Sequence, residues 1–423
     1  MKVITASSGT DCKGDCNGLS EPPPVDVDGN FTVDYVYAGD LRGNLWKFDL
    51  TSTDHDKWGV YHKDGINPAP LFTARGPGNL YQPITTTPSI MRHPLSDKPG
   101  FLVVFGTGKY LHTEDMQLPR TRDYSDVETI YGVWDYGDAS GSSDPDDDLK
   151  DRKEYLGLMT RAGSGASETN TLSNPKVKEK SSLQRQGEIF YEEVHFYSCP
   201  FEEEGGEPFT VSISQSELKA REDEIAGCSK SFSRFLRVLS NEPINWVTQE
   251  DDEKNSKNQA DDPSTKEPNH VGWYFDLPHT SKQERVVRSG LIRDGKYVVI
   301  TSIPRRSPCS AGGESILHEM NAATGGRLPS PAFDIDLDAA IAAGDLIEIE
   351  VTRTNPDTGE EFTERIRVAP TGIHFRKMMY PPVILQMPDQ KTEMKYFSTA
   401  SGNITMVQEV AEQRGMFYWR QWF

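Results

Sequence analysis

The chain has 423 residues, of which 35% are hydrophobic and 26% are charged, and its formal net charge at pH 7 is −20. This acidic balance argues against nucleic acid as a partner and disfavours adhesion to an anionic membrane. No apolar run approaches the roughly 20 residues that a membrane-spanning helix needs, and no signal peptide is visible at Met1. The length allows one large β domain or two ordinary domains.

Residues 1–25 are predicted to be a lead-in segment, and they hold two of the five cysteines. Cys12 and Cys16 are close enough in sequence to close a small loop. Cys199 and Cys228 lie on either side of a later insertion and could close it with a disulfide, in which case Cys309 would remain without a partner cysteine. In an exported protein such pairs would be oxidised. The spacing supports neither a zinc ribbon nor haem attachment.

The next nine residues predict a calcium-binding loop. Oxygen-bearing groups stand at every second position, namely Asp26, Asp28, Asn30, Thr32 and Asp34. Ca²⁺ takes six to eight oxygen ligands, and loops that bind it place ligands at positions 1, 3, 5, 7 and 9, with a backbone carbonyl at position 7. Gly29 allows a sharp bend. The loop is not a full EF-hand, because position 12 is Tyr37 and no helix precedes it. An ordinary Asp/Asn-rich surface turn is the alternative.

A β-hairpin is predicted directly after this loop. Residues 35–38 and 45–48 alternate as strands, and the turn between them carries Gly39, Asp40, Gly43 and Asn44. Positive φ angles are cheap in such a turn. Leu45 and Lys47 should lie on one face of the strand, with Trp46 and Phe48 on the other.

The stretch DVDGNFTVDYVYAGDLRGNLWKFDL (26–50) resembles the C-terminal β-propeller of the PilC/PilY family, the type IV pilus biogenesis factors and tip-located adhesins. The resemblance continues in order through YQPITTTPSI, VFGTGKYL, IYGVWD, SSLQRQ, RVLSNEPINW, GWYFDLP, ERVVRSGLI, SIPRRSPCSAGGESILHEMNAATGGRL and FSTASGNITMV…GMFYWRQ. The family has Asp or Asn at the positions of Asp26, Asp28, Asn30 and Asp34, and a carbonyl ligand at Thr32. The resemblance therefore implies that these five residues bind Ca²⁺.

The predicted fold is all-β. Strands such as GNLWKFDL, VGWYFDLP and GNITMVQEV recur between polar turns, and this loose repeat favours a propeller. The resemblance implies a quinoprotein-like propeller of four-stranded antiparallel blades over 26–423, here the C-terminal four to five blades. In the family, earlier blades and a variable N-terminal region precede this point. An upstream propeller half or an N-terminal domain is therefore an expected partner.

Four insertions are expected in the propeller, at about 140–180, 198–231, 249–269 and 345–369. Their composition predicts solvated loops in the first and third. A helical period runs over 214–226 in the second. The fourth alternates apolar and charged residues on either side of NPDTGE and predicts a long hairpin.

Asp334, Asp336 and Asp338 alternate in the manner of a second cation site. Ile335 and Leu337 stand between them, however, and this pattern favours an ordinary strand edge with one polar face.

Signatures of catalysis are missing from the sequence. FGTGKY (105–110) has Val103 where a phosphate loop would need Gly, and neither HExxH nor GxSxG occurs. The enzyme alternative is a quinone-dependent propeller dehydrogenase. Such enzymes usually carry a vicinal disulfide, and no two cysteines are adjacent here. We therefore expect no catalytic activity.

The resemblance implies an exported protein that passes from the periplasm to the cell surface and lies at the pilus tip. Its implied partners are minor and major pilins and a host or abiotic surface receptor. Calcium would cancel the repulsion among three carboxylates and fix the loop on the hairpin, and so control pilus extension, retraction and adhesion. A purely structural propeller without ligand dependence is the remaining alternative.

Overall fold

A computed structural model describes residues 17–64, 67–96, 100–111, 115, 124–135, 159–160, 181–201, 209–214, 227–246, 269–278, 283–305, 312–354, 359–387 and 392–410. The first strands are β1 (Pro24–Val25), β2 (Tyr35–Gly39), β3 (Asn44–Asp49), β4 (Gly59–Val60), β5 (Lys63–Asp64), β6 (Asn67–Pro68), β7 (Phe72–Thr73), β8 (Arg75–Gly76), β9 (Leu80–Tyr81), β10 (Ser89–Arg92), β11 (Phe101–Gly106), β12 (Thr129–Asp135), β13 (Met159–Thr160) and β14 (Ser181–Gln186).

The remaining strands are β15 (Glu188–Phe201), β16 (Phe209–Ser214), β17 (Ser229–Leu239), β18 (Asn269–Asp276), β19 (Arg285–Val286), β20 (Leu291–Arg293), β21 (Lys296–Pro304), β22 (Gly313–Asn321), β23 (Ile347–Thr354), β24 (Glu361–Val368), β25 (Gly372–Phe375), β26 (Val383–Gln386), β27 (Thr392–Ser398) and β28 (Ile404–Val410). Short 3-10 helices span His55–Lys57, Pro77–Asn79 and Ala343–Asp345. The described residues are thus built from strands, which confirms the all-β prediction.

The chain divides into two compact units. Unit 1 comprises 1–186, 241–306 and 322–325, and unit 2 comprises 187–240, 307–321 and 326–423.

The first sheet of unit 1 contains the hairpin that the sequence predicts. Its strand order is β1-β2-β3-β7-β13, with β4 also on β3. Ala38 pairs with Trp46 across the hairpin, and Gly43 turns with a φ of 78°. Trp46 and Phe48 pack with Ala38 and Val60 on one face, as alternation requires. The predicted hairpin is confirmed.

The second sheet of unit 1 has the order β10-β11-β12-β18-β14, in which β14 runs parallel to β18. Strands β11 and β12 are buried at every residue, which suits their nearly continuous apolar sequences. Gly132 is needed in β12 because the Trp273 indole lies where a Cβ would stand, 2.3 Å from it. Unit 1 also contains β21, which pairs with β19 and β20.

Unit 2 contains a sheet with the order β16-β15-β17-β25-β22, the hairpin β23-β24 and the three-stranded sheet β26-β27-β28. A disulfide joins Cys199 at the end of β15 to Cys228 before β17. The Phe196 and Phe232 rings stack beside it with centroids 4.8 Å apart. The staple that the cysteine spacing allowed is therefore present.

The long hairpin expected within 345–369 is confirmed, since β23 and β24 pair from Ile347–Val368 to Thr354–Glu361. The helical period over 214–226 and the loops within 140–180 and 249–269 fall almost wholly outside the described residues, as do Cys12, Cys16 and Cys309. Among the residues that the structure describes, no helix is long and apolar enough to cross a membrane.

Candidate metal centres

The first acidic loop, residues 26–34, joins β1 to β2 in unit 1. Its two ends are held together, because the Asp34 N–H donates to the Val25 carbonyl at 2.8 Å. The Asp34 carboxylate also accepts from the Val27 N–H at 2.7 Å, and the Arg92 guanidinium donates to the Val27 carbonyl at 2.8 Å. The loop therefore forms a closed surface bend that is anchored to the sheet.

Every predicted ligand of this loop takes part in the bend. Asp26 accepts from the N–H groups of Gly29 and Phe31 at 2.7 and 2.8 Å. Asp28 accepts from the Asn30 N–H, and Asn30 accepts from the Thr32 N–H. Gly29 and Phe31 turn the chain with φ angles of 76° and 69°. Each side chain thereby folds back over the loop and leaves lone pairs that can face a cation.

The three carboxylates of the first loop converge. One oxygen from each of Asp26, Asp28 and Asp34 lies within 4.8 Å of the others. Burial raises the pKa of Asp26, but N–H donors from Phe31 and Gly29 outweigh it and hold that pKa below its usual value. Three ionised carboxylates at this spacing repel one another, and a hard divalent cation would remove that repulsion.

A buried ammonium group lies behind the hairpin that follows the first loop. The Lys47 Nζ has no solvent exposure, forms an ion pair with Asp135 at 2.7 Å, and lies about 4 Å from the centroids of Tyr35 and Tyr61. Tyr37, at position 12 of the first loop, donates its hydroxyl to the same Asp135. Position 12 therefore belongs to the core of unit 1 and not to the loop.

The second acidic loop, residues 334–345, lies in unit 2. The sequence pattern favoured an ordinary strand edge at 334–338, and this prediction is wrong. The residues form a bend in which Leu337 and Ala339 have φ angles of 66°. An alternating D-x-D-x-D sequence fits a strand and a ligand loop equally well, and the conformation at Leu337 and Ala339 decides between them.

The two loops share one hydrogen-bond pattern. In the second loop Asp334 accepts from the N–H groups of Leu337 and Ala339 at 2.6 and 3.1 Å. Asp336 accepts from the Asp338 N–H, and Asp338 accepts from the Ala340 N–H. The positive φ angles fall at positions 4 and 6 in both loops. Two segments that lie far apart in the sequence therefore have the same backbone geometry.

The second loop gains a fourth carboxylate that the sequence argument missed. Asp345 stands at position 12, where an EF-hand loop has its acidic ligand. It accepts from the Ile335 N–H at 2.6 Å and from the Ala342 N–H at 2.9 Å, and it is 1% exposed. Counting eleven residues on from Asp334 would have found it.

The second loop is also the more buried of the two. Asp334 and Asp336 are 6% and 3% exposed, whereas Asp26 and Asp28 are exposed. Burial and the neighbouring Asp345 raise the pKa of Asp336 to about 7, and burial raises that of Asp345 to about 6. The Arg234 guanidinium donates to the Asp334 carbonyl at 3.2 Å and not to its carboxylate. These groups would be stabilised by a cation more than by ordinary solvent.

The donor sets of both loops fit calcium better than softer metals, because all the candidate ligands are oxygens and neither set contains His or Cys. In the first loop Asp26, Asp28, Asn30 and Asp34 would supply side-chain oxygens and Thr32 its carbonyl. In the second loop the side-chain donors would be Asp334, Asp336, Asp338 and Asp345.

Comparison with known proteins adds independent information. Residues 3–146 match the family described as the PilY1 beta-propeller domain. The chain is 27% identical over 337 residues, which is 75% of its length, to the type IV pilus biogenesis factor PilY1 of Pseudomonas aeruginosa PAO1. It is 39% identical over 144 residues, which is 32% of its length, to a PilY1 homolog of Xylella fastidiosa.

These alignments cover 22% and 9% of the two relatives, so the chain spans about a fifth or less of their length. The crystal structure of the Pseudomonas aeruginosa PilY1 C-terminal domain matches 96% of this chain and 63% of its own, with a TM-score of 0.56 and 20% identity. At that identity the match supports the fold, which is the β-propeller type expected from the repeat.

Proposed function

We propose that this chain, which is similar to PilY1 proteins over three quarters of its length, acts in type IV pilus biogenesis as a calcium-binding segment of an exported pilus factor. The observation that carries the calcium part is the geometry of the first loop, in which the carboxylates of Asp26, Asp28 and Asp34 meet within 4.8 Å. The pilus part is supported by the relatives, whose names describe pilus biogenesis factors. No catalytic role is part of this proposal.

The second loop supports a second calcium ion. It repeats the positive φ angles and the hydrogen bonds of the first loop, and it brings the carboxylates of Asp334, Asp336 and Asp338 within 4.8 Å of one another in a less exposed place. The carboxylate of Asp345 adds a fourth negative charge to the loop, where it accepts from the Ile335 N–H. Four carboxylates in one loop carry a larger charge repulsion than three, so the gain from a bound cation is larger. We assign the tighter site to this loop.

Calcium would act by fixing two segments of the chain. In unit 1 it would hold residues 26–34 over the β2–β3 hairpin. In unit 2 it would hold residues 334–345 beside β28, where the backbone N–H of Asp334 donates to the Gln408 carbonyl. Ordering of these loops would present neighbouring surfaces to pilins at the pilus tip and to a surface receptor. The extension, retraction and adhesion of pili would then depend on calcium.

Isothermal titration of chelator-stripped protein tests the two sites. We expect two calcium ions to bind, with Mg²⁺ binding much more weakly, because Mg²⁺ retains its waters and demands stricter geometry. Asp28→Asn should remove one site and Asp338→Asn the other, since each keeps a side-chain oxygen for the loop hydrogen bond but loses a charge. Asp34→Ala should likewise abolish binding at the first loop while the fold persists.

Asp54→Asn is the matched control. Asp54 is an exposed carboxylate that caps a 3-10 helix, and Asn caps equally well, so two sites should remain. Retention of wild-type calcium stoichiometry in both loop variants would overturn the ligand assignment.

The pilus role is tested by expressing the loop variants in a piliated strain that lacks its PilY1-family factor. Equal amounts of surface pili with wild-type and variant chains would contradict calcium control.

A further inference from the structure

A groove in unit 2 lies between two strands, and neither acidic loop contributes a residue to its lining. Its volume is about 580 Å³, which is within the range of roughly 300–1,000 Å³ typical of ligand pockets. Consecutive residues line each side, 188–192 of β15 on one and 347–350 of β23 on the other. A strand that turned its face to a cavity would contribute only every second residue. The consecutive lining therefore indicates that both strands present an edge.

Both edges lack a strand partner within the part of the chain that the structure describes. β15 pairs with β17 from Glu188 onward, but it meets β16 on its other side only from Phe196 to Phe201. β23 pairs with β24 alone, in a two-stranded sheet. Free strand edges offer rows of N–H and C=O groups that an added strand can bond.

The groove is acidic as well as apolar. Four of its ten lining residues are glutamates, Glu188, Glu192, Glu348 and Glu350, and none is Lys, Arg or His. Glu188 forms an ion pair with Arg237 at 2.7 Å, and Arg365 lies 2.9 Å from Glu350 and 3.9 Å from Glu348. Neither arginine lines the groove. Apolar side chains, including Ile347 and Ile349, make up most of the remainder.

We propose that this groove binds an extended segment of a basic partner protein by β-strand addition. The main chain of that segment would bond to the edges of β15 and β23, and its Lys or Arg side chains would alternate with apolar ones. Charge complementarity favours such a partner over a second copy of this chain, which carries a net charge of −20. The proposal does not depend on calcium.

Fluorescence anisotropy of the full chain with labelled eight-residue peptides tests the groove. A peptide of alternating Val and Lys should bind, and one of alternating Val and Glu should not. N-methylation of every second residue in the Val-Lys peptide blocks hydrogen bonding along one peptide edge. Either alternate set of methyl groups should weaken binding by about tenfold or more, because two or three hydrogen bonds are lost.

A pair of double variants tests the charges. Glu192→Gln combined with Glu348→Gln should lower the affinity for the Val-Lys peptide by about fivefold, as expected for two partly exposed carboxylates. Glu361→Gln with Glu364→Gln makes the same charge change on the exposed β24 of the same hairpin, and it should leave binding unchanged. An equal loss of peptide affinity in both double variants would mean that only the net charge of the chain matters, and this would overturn the proposal.

Hydrogen exchange locates the bound peptide. On adding the Val-Lys peptide, amides within 188–194 and 347–350 should become protected. Protection elsewhere, or no binding of any peptide at millimolar concentration, would overturn the proposal. Full protection of both edges in the free chain would also overturn it, since the chain would then cover its own groove.

Discussion

Lys47 is a single residue on which the stability of the hairpin after the first loop depends. Its ammonium group is fully buried beside Asp135, and the Tyr35 and Tyr61 rings flank it. Burial raises the pKa of Asp135, but Lys47, then His62, and the hydrogen bond from Tyr37 outweigh it and hold that pKa below its usual value. Asp135 is thus held ionised, and removing Lys47 leaves its charge buried without a counter-ion.

We predict that Lys47→Ala lowers the free energy of unfolding of unit 1 by about 3–5 kcal/mol, because Asp135 loses its counter-ion in a dry interior. Lys47→Met combined with Asp135→Asn removes both charges and should recover much of that loss. Urea unfolding measures both variants. Equal destabilisation by the single and double variants would mean that packing, and not charge, dominates at Lys47.

At the scale of elements, the second loop combines buried acids with one nearby guanidinium, that of Arg234, which interacts electrostatically with Asp334, Asp345 and Asp336 but donates its hydrogen bond to the Asp334 carbonyl. The folded-state pKa of Asp336 is about 7, against about 3.9 in an unfolded chain. A raised folded pKa means that the protonated form is favoured by folding. The stability contributed by this group is therefore complete below about pH 4 and is lost as the pH rises through about 7.

We predict that metal-free protein becomes less stable in unit 2 between about pH 4 and 7, and that Asp336→Asn reduces this slope. With calcium bound the sign reverses, because protons compete with the cation for the carboxylates and binding weakens as the pH falls. Thermal unfolding across this pH range measures both effects. The same slope in the wild-type chain and in Asp336→Asn would show that other groups control the dependence.

The two loops also show what the sequence could predict. In the first loop, Gly29 marks the bend, and a recognisable hairpin follows immediately, so ligand positions and strand bounds could be read from 26–50. In the second loop, Leu337 and Ala339 occupy the positive-φ positions, and neither residue signals a bend. The fourth carboxylate, Asp345, depends on the chain returning to Ile335, which is a tertiary contact.

The burial of charged residues could not be predicted from the local sequence either. Lys47 alternates with Trp46 and Phe48 as a surface residue would, and its partner Asp135 lies on β12, far along the chain. The hairpin β23–β24 and the Cys199–Cys228 staple were predictable because their signals are local. The groove between β15 and β23 was not, because it depends on which strand edges receive partners.

At the scale of the whole molecule, the two candidate calcium loops are distributed between the two units, with residues 26–34 in unit 1 and residues 334–345 in unit 2. A ligand that binds only the folded state stabilises it by RT ln(1 + [L]/Kd), which is about 2.7 kcal/mol at a concentration one hundred times Kd. Calcium should therefore stabilise the two units separately, through separate sites. Stabilisation of one unit alone would indicate that only one loop is a site.

We predict that saturating calcium raises the unfolding temperature of each unit by about 5–10 °C, a shift that follows from 2–3 kcal/mol in units of this size. Asp28→Asn should remove the shift in unit 1 and keep it in unit 2, and Asp338→Asn should do the reverse. Calorimetry gives the shifts, and hydrogen exchange of β2 and β25 assigns them to the units. Loss of both shifts in either single variant would show that the sites act as one, and equal shifts with Mg²⁺ would show that the loops do not select calcium.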